Sequence, residues 1–157
     1  MKKIDIHCHV LPKLDDGSAS LQESIKMLKQ AYRQGIQAVV ATPHYSHQFM
    51  EESPGTIINL CKRLELKART EVSPDFRIYP GQEIYYSQET SEKLRRNQLL
   101  TMGGSTYILI EFMPNVPYSL VYRAVRELTE KGYCPILAHI ERYGVLREKG
   151  RVEELIK

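Results

Sequence analysis

Five short apolar runs, each separated from the next by a segment with helical periodicity, constrain the fold of this chain more than any other feature. "KKIDIHCHV", "IQAVVATPH", "FRIYPGQEIYY", "TYILIEF" and "YCPILAHIERY" are too short and too rich in β-branched and aromatic residues to be helices. The third should break or bulge around Pro80-Gly81. Between them, "SLQESIKMLKQAYRQG" places Leu21, Ile25, Leu28 and Tyr32 at helical spacing, with Ser18 or Ser20 as the N-cap and Gly35 as the stop. Residues 53–72 put Ile57, Cys61, Leu64 and Ala68 on one helical face behind a Ser-Pro pair. A short helix is expected near 88–96. "SLVYRAVRELTEKG" forms a third long helix, with Leu120, Ala124 and Leu128 on one side, and "RVEELIK" begins another. Strands that are apolar throughout and alternate with helices specify an α/β fold: a parallel sheet with helices packed outside it.

The polar residues fall on that frame at the carboxyl ends of the strands, where parallel α/β folds build their sites. His7 and His9 end the first run, His44 the second, Glu83 follows the break in the third, Glu111 ends the fourth and His139 sits in the fifth. Alternation of side chains gives His7 and His9 a common face, and Asp5 shares their parity. A single histidine at a strand end is ordinarily a solvated or hydrogen-bonded residue. Here four of five histidines occupy such positions, His47 alone reading as a loop residue. Imidazole mixed with carboxylate suits manganese, iron or zinc and argues against a thiolate site.

Bulk properties remove other classes. Net charge is +3, from 22 basic and 19 acidic residues without long runs of one sign, so a nucleic-acid partner is not indicated. No apolar stretch approaches a membrane span, and the N-terminus lacks the apolar core of a signal peptide. Three cysteines without metal-like pairing fit a reducing cytoplasm. A cysteine phosphatase needs Cys-x5-Arg, but Leu14, Lys67 and Ile140 stand six residues after Cys8, Cys61 and Cys134. Cys61 and Cys134 are expected in the core, with Cys8 pointing into the packing.

"DIHCHVLPKLDDGS", "ATPHY", "GQEIYY", "LIEF" and "AHIERY" occur in the order of the motifs of the PHP (polymerase and histidinol phosphatase) superfamily, over nearly all 157 residues. The chain most resembles the manganese-dependent protein-tyrosine phosphatases of bacterial capsule and exopolysaccharide gene clusters. The resemblance implies a distorted seven-stranded, TIM-like β/α barrel with up to three divalent ions at its carboxyl rim. His7 and His9 would bind one ion, which Glu83 would bridge to a second completed by Glu111 and His139. Asp16 and His44 would serve a third, and Arg142 would contact the substrate phosphate. Asp5 reads as a residue orienting a ligand, and Asp15 as turning the loop while Asp16 binds.

The same resemblance implies that the family continues for two more strands and a second Asp-x-His motif; within these 157 residues Asp-x-His occurs once, as Asp5-Ile6-His7 in the first run. The chain is therefore expected to be one PHP-type domain, residues 1–157, incomplete at the C-terminus, with about five of seven strands. Its open edges would be closed by a partner or a second copy. The expected function is hydrolysis of phosphotyrosine on a protein, a bacterial tyrosine kinase tail regulating polysaccharide synthesis. The alternatives are another phosphomonoesterase of histidinol-phosphatase type, or a remnant that binds without turnover.

Overall fold

The computed structural model describes residues 3–46 and 52–156; His47 lies outside them. Among the described residues are seven short strands: β1 (Lys3–Cys8), β2 (Ile36–Ala41), β3 (His44–Tyr45), β4 (Arg77–Pro80), β5 (Glu83–Tyr85), β6 (Tyr107–Glu111) and β7 (Cys134–Leu137). The helices are α1 (Leu21–Arg33), α2 (Pro54–Glu71), α3 (Thr90–Arg95), α4 (Tyr118–Glu130) and α5 (Arg151–Ile156). All strand pairs are parallel, in two sheets ordered β1-β2-β4 and β3-β5-β6-β7.

The helices begin and end where elementary capping chemistry puts them. The Ser20 side chain accepts the Glu23 N–H at the start of α1, and Gly35 beyond its end takes φ 89°, a left-handed conformation that a Cβ would penalise. Ser53 caps α2 and Pro54 occupies its first turn. Ile57, Cys61, Leu64 and Ala68 are buried on its inner face as the spacing predicts. On α1 only the centre of the expected stripe is covered: Ile25 and Leu28 are buried, whereas Leu21 and Tyr32 are exposed at its two ends.

The two sheets arise because the second and third predicted strands both break. Thr42-Pro43 separates β2 from β3, and Gly81-Gln82 separates β4 from β5. Hydrogen bonds from Gly81 N to Ala41 O (2.9 Å) and from Glu83 N to Pro43 O (3.0 Å) carry the pairing through both interruptions. Segment order across the sheets thus follows chain order. Gly81 is needed at its break: a Cβ there would lie 2.9 Å from Val40 Cγ1 and 3.3 Å from Met102 Sδ.

Two outer cores result. One joins α1 and α2 to β2 and β4 through Ile25, Leu28, Val39, Leu64 and Phe76; the other joins α4 to β5 and β6 through Ile84, Ile110, Ala124 and Leu128. Two expectations need correction. The fifth strand ends at Leu137, because His139 adopts φ 50° and starts a 3-10 turn over Ile140–Arg142. Cys134 is exposed, since it opens β7 at the edge of its sheet, while Cys61 is buried and Cys8 packs against the first core.

Candidate metal centre

Glu83 is the hub of the carboxyl rim. It opens β5 directly after the break and is completely buried. Its Oε2 lies 2.9 Å from His7 Nε2, 3.0 Å from His9 Nε2 and 3.3 Å from His44 Nδ1. Its Oε1 lies 3.1 Å from His139 Nε2, yet accepts no hydrogen bond. Four imidazoles from three segments therefore surround one carboxylate. Glu111, at the end of β6, places Oε1 2.9 Å from His44 Nδ1.

Local backbone features bring these side chains together. The β1–β2 register shifts between Asp5 and Cys8, and the His7 N–H donates to Asp5 Oδ1 at 3.1 Å. His7 and His9 bring their Nε2 atoms to 3.3 Å. Asp5 thus holds the His7 backbone rather than its ring. The following loop folds back on His9, with Ser18 N donating to His9 O. Only glycine fits at residue 17, where a Cβ would fall 2.1 Å from that carbonyl oxygen. On the far side, the left-handed backbone at His139 redirects the chain after β7. Buried Tyr143 accepts the Phe112 N–H at 3.0 Å, fixing the end of β6 next to Glu111.

Asp16 and Asp15 sit differently. Asp16 is exposed, with Oδ1 3.4 Å from His9 Nδ1 and 3.7 Å from His44 Nε2. Asp15 has a covered side chain that accepts from the Gly17 N–H (3.0 Å) and the His44 N–H (3.1 Å), and stands 2.8 Å from His9 Nδ1. It turns the loop as expected, but its contacts with His9 and His44 were not legible. A carboxylate that shapes a turn and one that holds an imidazole look alike in a sequence. Tyr143 was missed for a similar reason, its only signal being its place in "HIERY".

The electrostatics are those of a site built for positive charge. Burial disfavours ionised Glu83, but its hydrogen bonds to His7 and His9 hold it well below the usual carboxylate range. Burial likewise opposes charge on His9, yet hydrogen bonds to Asp15 and Glu83 push it up to about 10. The Glu111 hydrogen bond raises His44 against its burial. Among the described residues no lysine or arginine pairs with Glu83, Glu111 or Asp16. Protons on His9 and His44 are thus counter-charges in direct contact with these carboxylates, and divalent cations can replace them.

The donor set fits such ions. Three groups of side chains offer ligand atoms within 4.8 Å of one another: His7, His9 and Glu83; His9, Asp16 and His44; His44, Glu83 and Glu111. Imidazole and carboxylate with a buried, unsatisfied Glu83 Oε1 match borderline to hard divalent metals. His44 stands 2.9 Å from Glu111, and His139 stands 3.1 Å from Glu83, the carboxylate with which the resemblance implied it shares an ion. His7, His9, Asp16, His44 and His139 line an open cleft of about 440 Å³, and the half-exposed Arg142 stands at its lip.

These features define an α/β protein with a histidine–carboxylate centre at a parallel-strand rim. Residues 3–157 match the family described as capsular polysaccharide synthesis, CpsB/CapC, and the chain belongs to it. It is 38% identical over 149 residues to tyrosine-protein phosphatase YwqE of Bacillus subtilis, covering 92% of this chain and 57% of that protein. It is 36% identical over 154 residues to tyrosine-protein phosphatase CpsB of Streptococcus pneumoniae, covering 98% of this chain and 63% of that one. A chain from the crystal structures of YwqE and CpsB, described as unique metal-dependent tyrosine phosphatases, superposes with a TM-score of 0.88 at 34% identity. That match covers 98% of this chain and 62% of the other. The chain thus spans about three-fifths of the relatives it matches. No helix among the described residues is long and apolar enough to cross a membrane.

Proposed function

We propose that this chain carries the metal centre of a phosphomonoesterase that hydrolyses phosphotyrosine on proteins, with manganese as the preferred ion and iron or zinc as substitutes. The observation that carries the reading is the convergence of His7, His9, His44 and His139 on buried Glu83, under a cleft lipped by Arg142. The segment order and the relatives support a seven-stranded β/α barrel, to which these residues would contribute the first five segments.

His7, His9 and Glu83 would hold one ion, and Glu111 and His139 would serve a second that shares Glu83. Asp16 and His44 would serve a third. His44 stands beside Glu111 as well as Asp16, which supports a role for it between the second and third positions. The chemistry that ions held there would supply is positive charge to neutralise phosphoryl oxygens and a water pKa lowered toward neutral pH. Arg142 presents a planar fork of N–H donors matched to a phosphate. Among the described residues only the weak Glu141 contact at 3.9 Å competes for it. A cysteine nucleophile has no candidate: burial pushes both Cys8 and Cys61 up to about 12, and no arginine stands at the required spacing. A tyrosine-phosphorylated kinase tail from a polysaccharide-export system is the expected substrate, and a cytoplasmic enzyme is the expected setting.

The test is Mn²⁺-dependent release of phosphate from a phosphotyrosine peptide, beside histidinol phosphate, by the chain and by His139→Ala. Peptide turnover that the variant abolishes supports the proposal. Faster turnover of histidinol phosphate would move the substrate to a small metabolite. Peptide binding without release would reduce the chain to a binding surface.

A further inference from the structure

His9 belongs to two of the three ligand groups, and a neutral imidazole offers one lone pair. Its Nε2 faces His7 and Glu83, while its Nδ1 faces Asp15 at 2.8 Å and Asp16 at 3.4 Å. The two aspartates differ in kind. The Asp15 side chain is 2% exposed and fixed by two backbone N–H groups; that of Asp16 is 76% exposed. Asp15 Oδ2 already accepts the His44 N–H at 3.1 Å, so it faces His9 as a second donor's acceptor.

We propose that Asp15 is a positioning residue that takes the Nδ1–H of His9, and thereby commits His9 through Nε2 to the ion shared with His7 and Glu83. The position beside Asp16 and His44 then does without His9. This rests on the metal-centre reading above and assigns a role to a residue outside the ligand set. The chemistry is that of a carboxylate holding the second nitrogen of a metal-bound imidazole, which fixes ring orientation and tautomer and raises ligand basicity. Asp15 also joins the two sheets: His9 follows β1 of the first, and His44 opens β3 of the second. One carboxylate therefore sets the imidazole of one ligand and the backbone of another.

Asp15→Asn tests this with little change of shape. To keep the His44 contact, the amide oxygen must stay where Oδ2 was; a flipped amide would instead donate to Nδ1 and leave the proton on Nε2. Either way the anionic acceptor is lost. Titration of the full chain with Mn²⁺, followed by electron paramagnetic resonance, should show tightest-site binding weakened about 10–100-fold in Asp15→Asn. Asp16→Asn should leave that site within about 3-fold and weaken a separate one. The second readout needs no variant. Long-range ¹H–¹⁵N spectra of the wild-type chain loaded with Zn²⁺ should show His9 protonated at Nδ1. Protonation at Nε2 overturns the proposal, as does a folded Asp15→Asn that binds Mn²⁺ like wild type. Should Asp15→Asn not fold, the wild-type spectrum decides. Wild-type protein that binds neither ion overturns the metal-centre reading and this inference with it.

Discussion

Two depressions on this molecule are built from the same strands and have opposite chemistry. The cleft at the carboxyl ends is lined by His7, His44, His139 and Arg142. A hollow of about 400 Å³ lower on the same segments is lined by Ile4, Ile6, Val40, Tyr79, Met102 and Ile136. His7 and Ile6 are neighbours in β1, and Ile136 precedes His139 by three residues. The difference teaches that position along a strand, more than membership of it, assigns a residue to chemistry or to packing. Mid-strand side chains meet the neighbouring strands at fixed spacing and are apolar. Side chains at or past the ends, such as His9 and His139, and those that restart a strand beyond a break, His44 and Glu83, converge on a point.

Substitutions separate the two regions, and the largest effect belongs to the hub. Glu83→Gln removes the charge that His7, His9, His44 and His139 share. Mn²⁺ affinity, measured by calorimetry, should fall by more than the ~100-fold attached to loss of a ligand's supporting partner. An unchanged affinity would break the comparison at its polar end. Next comes metal removal. At a Mn²⁺ concentration of ~100 Kd, binding stabilises the native state by about 2.7 kcal/mol. Chelation with EDTA should then lower Tm by roughly 5–10 °C for a chain of this size. The hollow offers no such dependence.

Acidity gives a third, smaller effect. His9 is raised from its ordinary 6.5 to about 10 in the metal-free site. The stability its charge contributes is therefore fully present below pH 6.5 and lost as pH rises through about 10. The metal-free protein should melt at lower temperature above pH 8 than at pH 6.5. Mn²⁺ affinity should change in the opposite sense, rising with pH, because each ion displaces protons from imidazoles. Calorimetry in buffers of different ionisation enthalpy reads the proton release directly. Least of all should Ile6→Thr matter: Ile6 is 47% exposed in the hollow. A change within about 0.5 kcal/mol in stability and no change in Mn²⁺ affinity is expected. A shift in Mn²⁺ affinity there would show the two depressions to be coupled.

The α/β alternation, the faces of α2 and α4, and the break at Pro80-Gly81 were legible because each rests on local rules of period, cap and turn. So was the convergence of histidines on strand ends, since parallel strands bring those ends to one side. What was not legible depends on distances between segments. The break at Thr42-Pro43 reads as a strand end, and only pairing with β5 shows that His44 restarts a strand. That restart sets His44 beside Glu111. The left-handed backbone of His139 carries no signal in "AHIERY", because histidine tolerates that conformation without requiring it. Cys134 was expected inside because free cysteine is usually buried, yet edge position overrode that tendency.

The paired breaks in the second and third segments have a mechanical consequence. They run side by side, so they form a seam between the β1-β2-β4 sheet and the β3-β5-β6-β7 sheet. His7 and His9 belong to one bank of that seam, and Glu83, Glu111 and His139 to the other. A cation held between the banks would act as a suture. Its arrival would stiffen a joint already made by backbone hydrogen bonds and by Val40, Met102, Leu109 and Ala138 packed together across the two sheets.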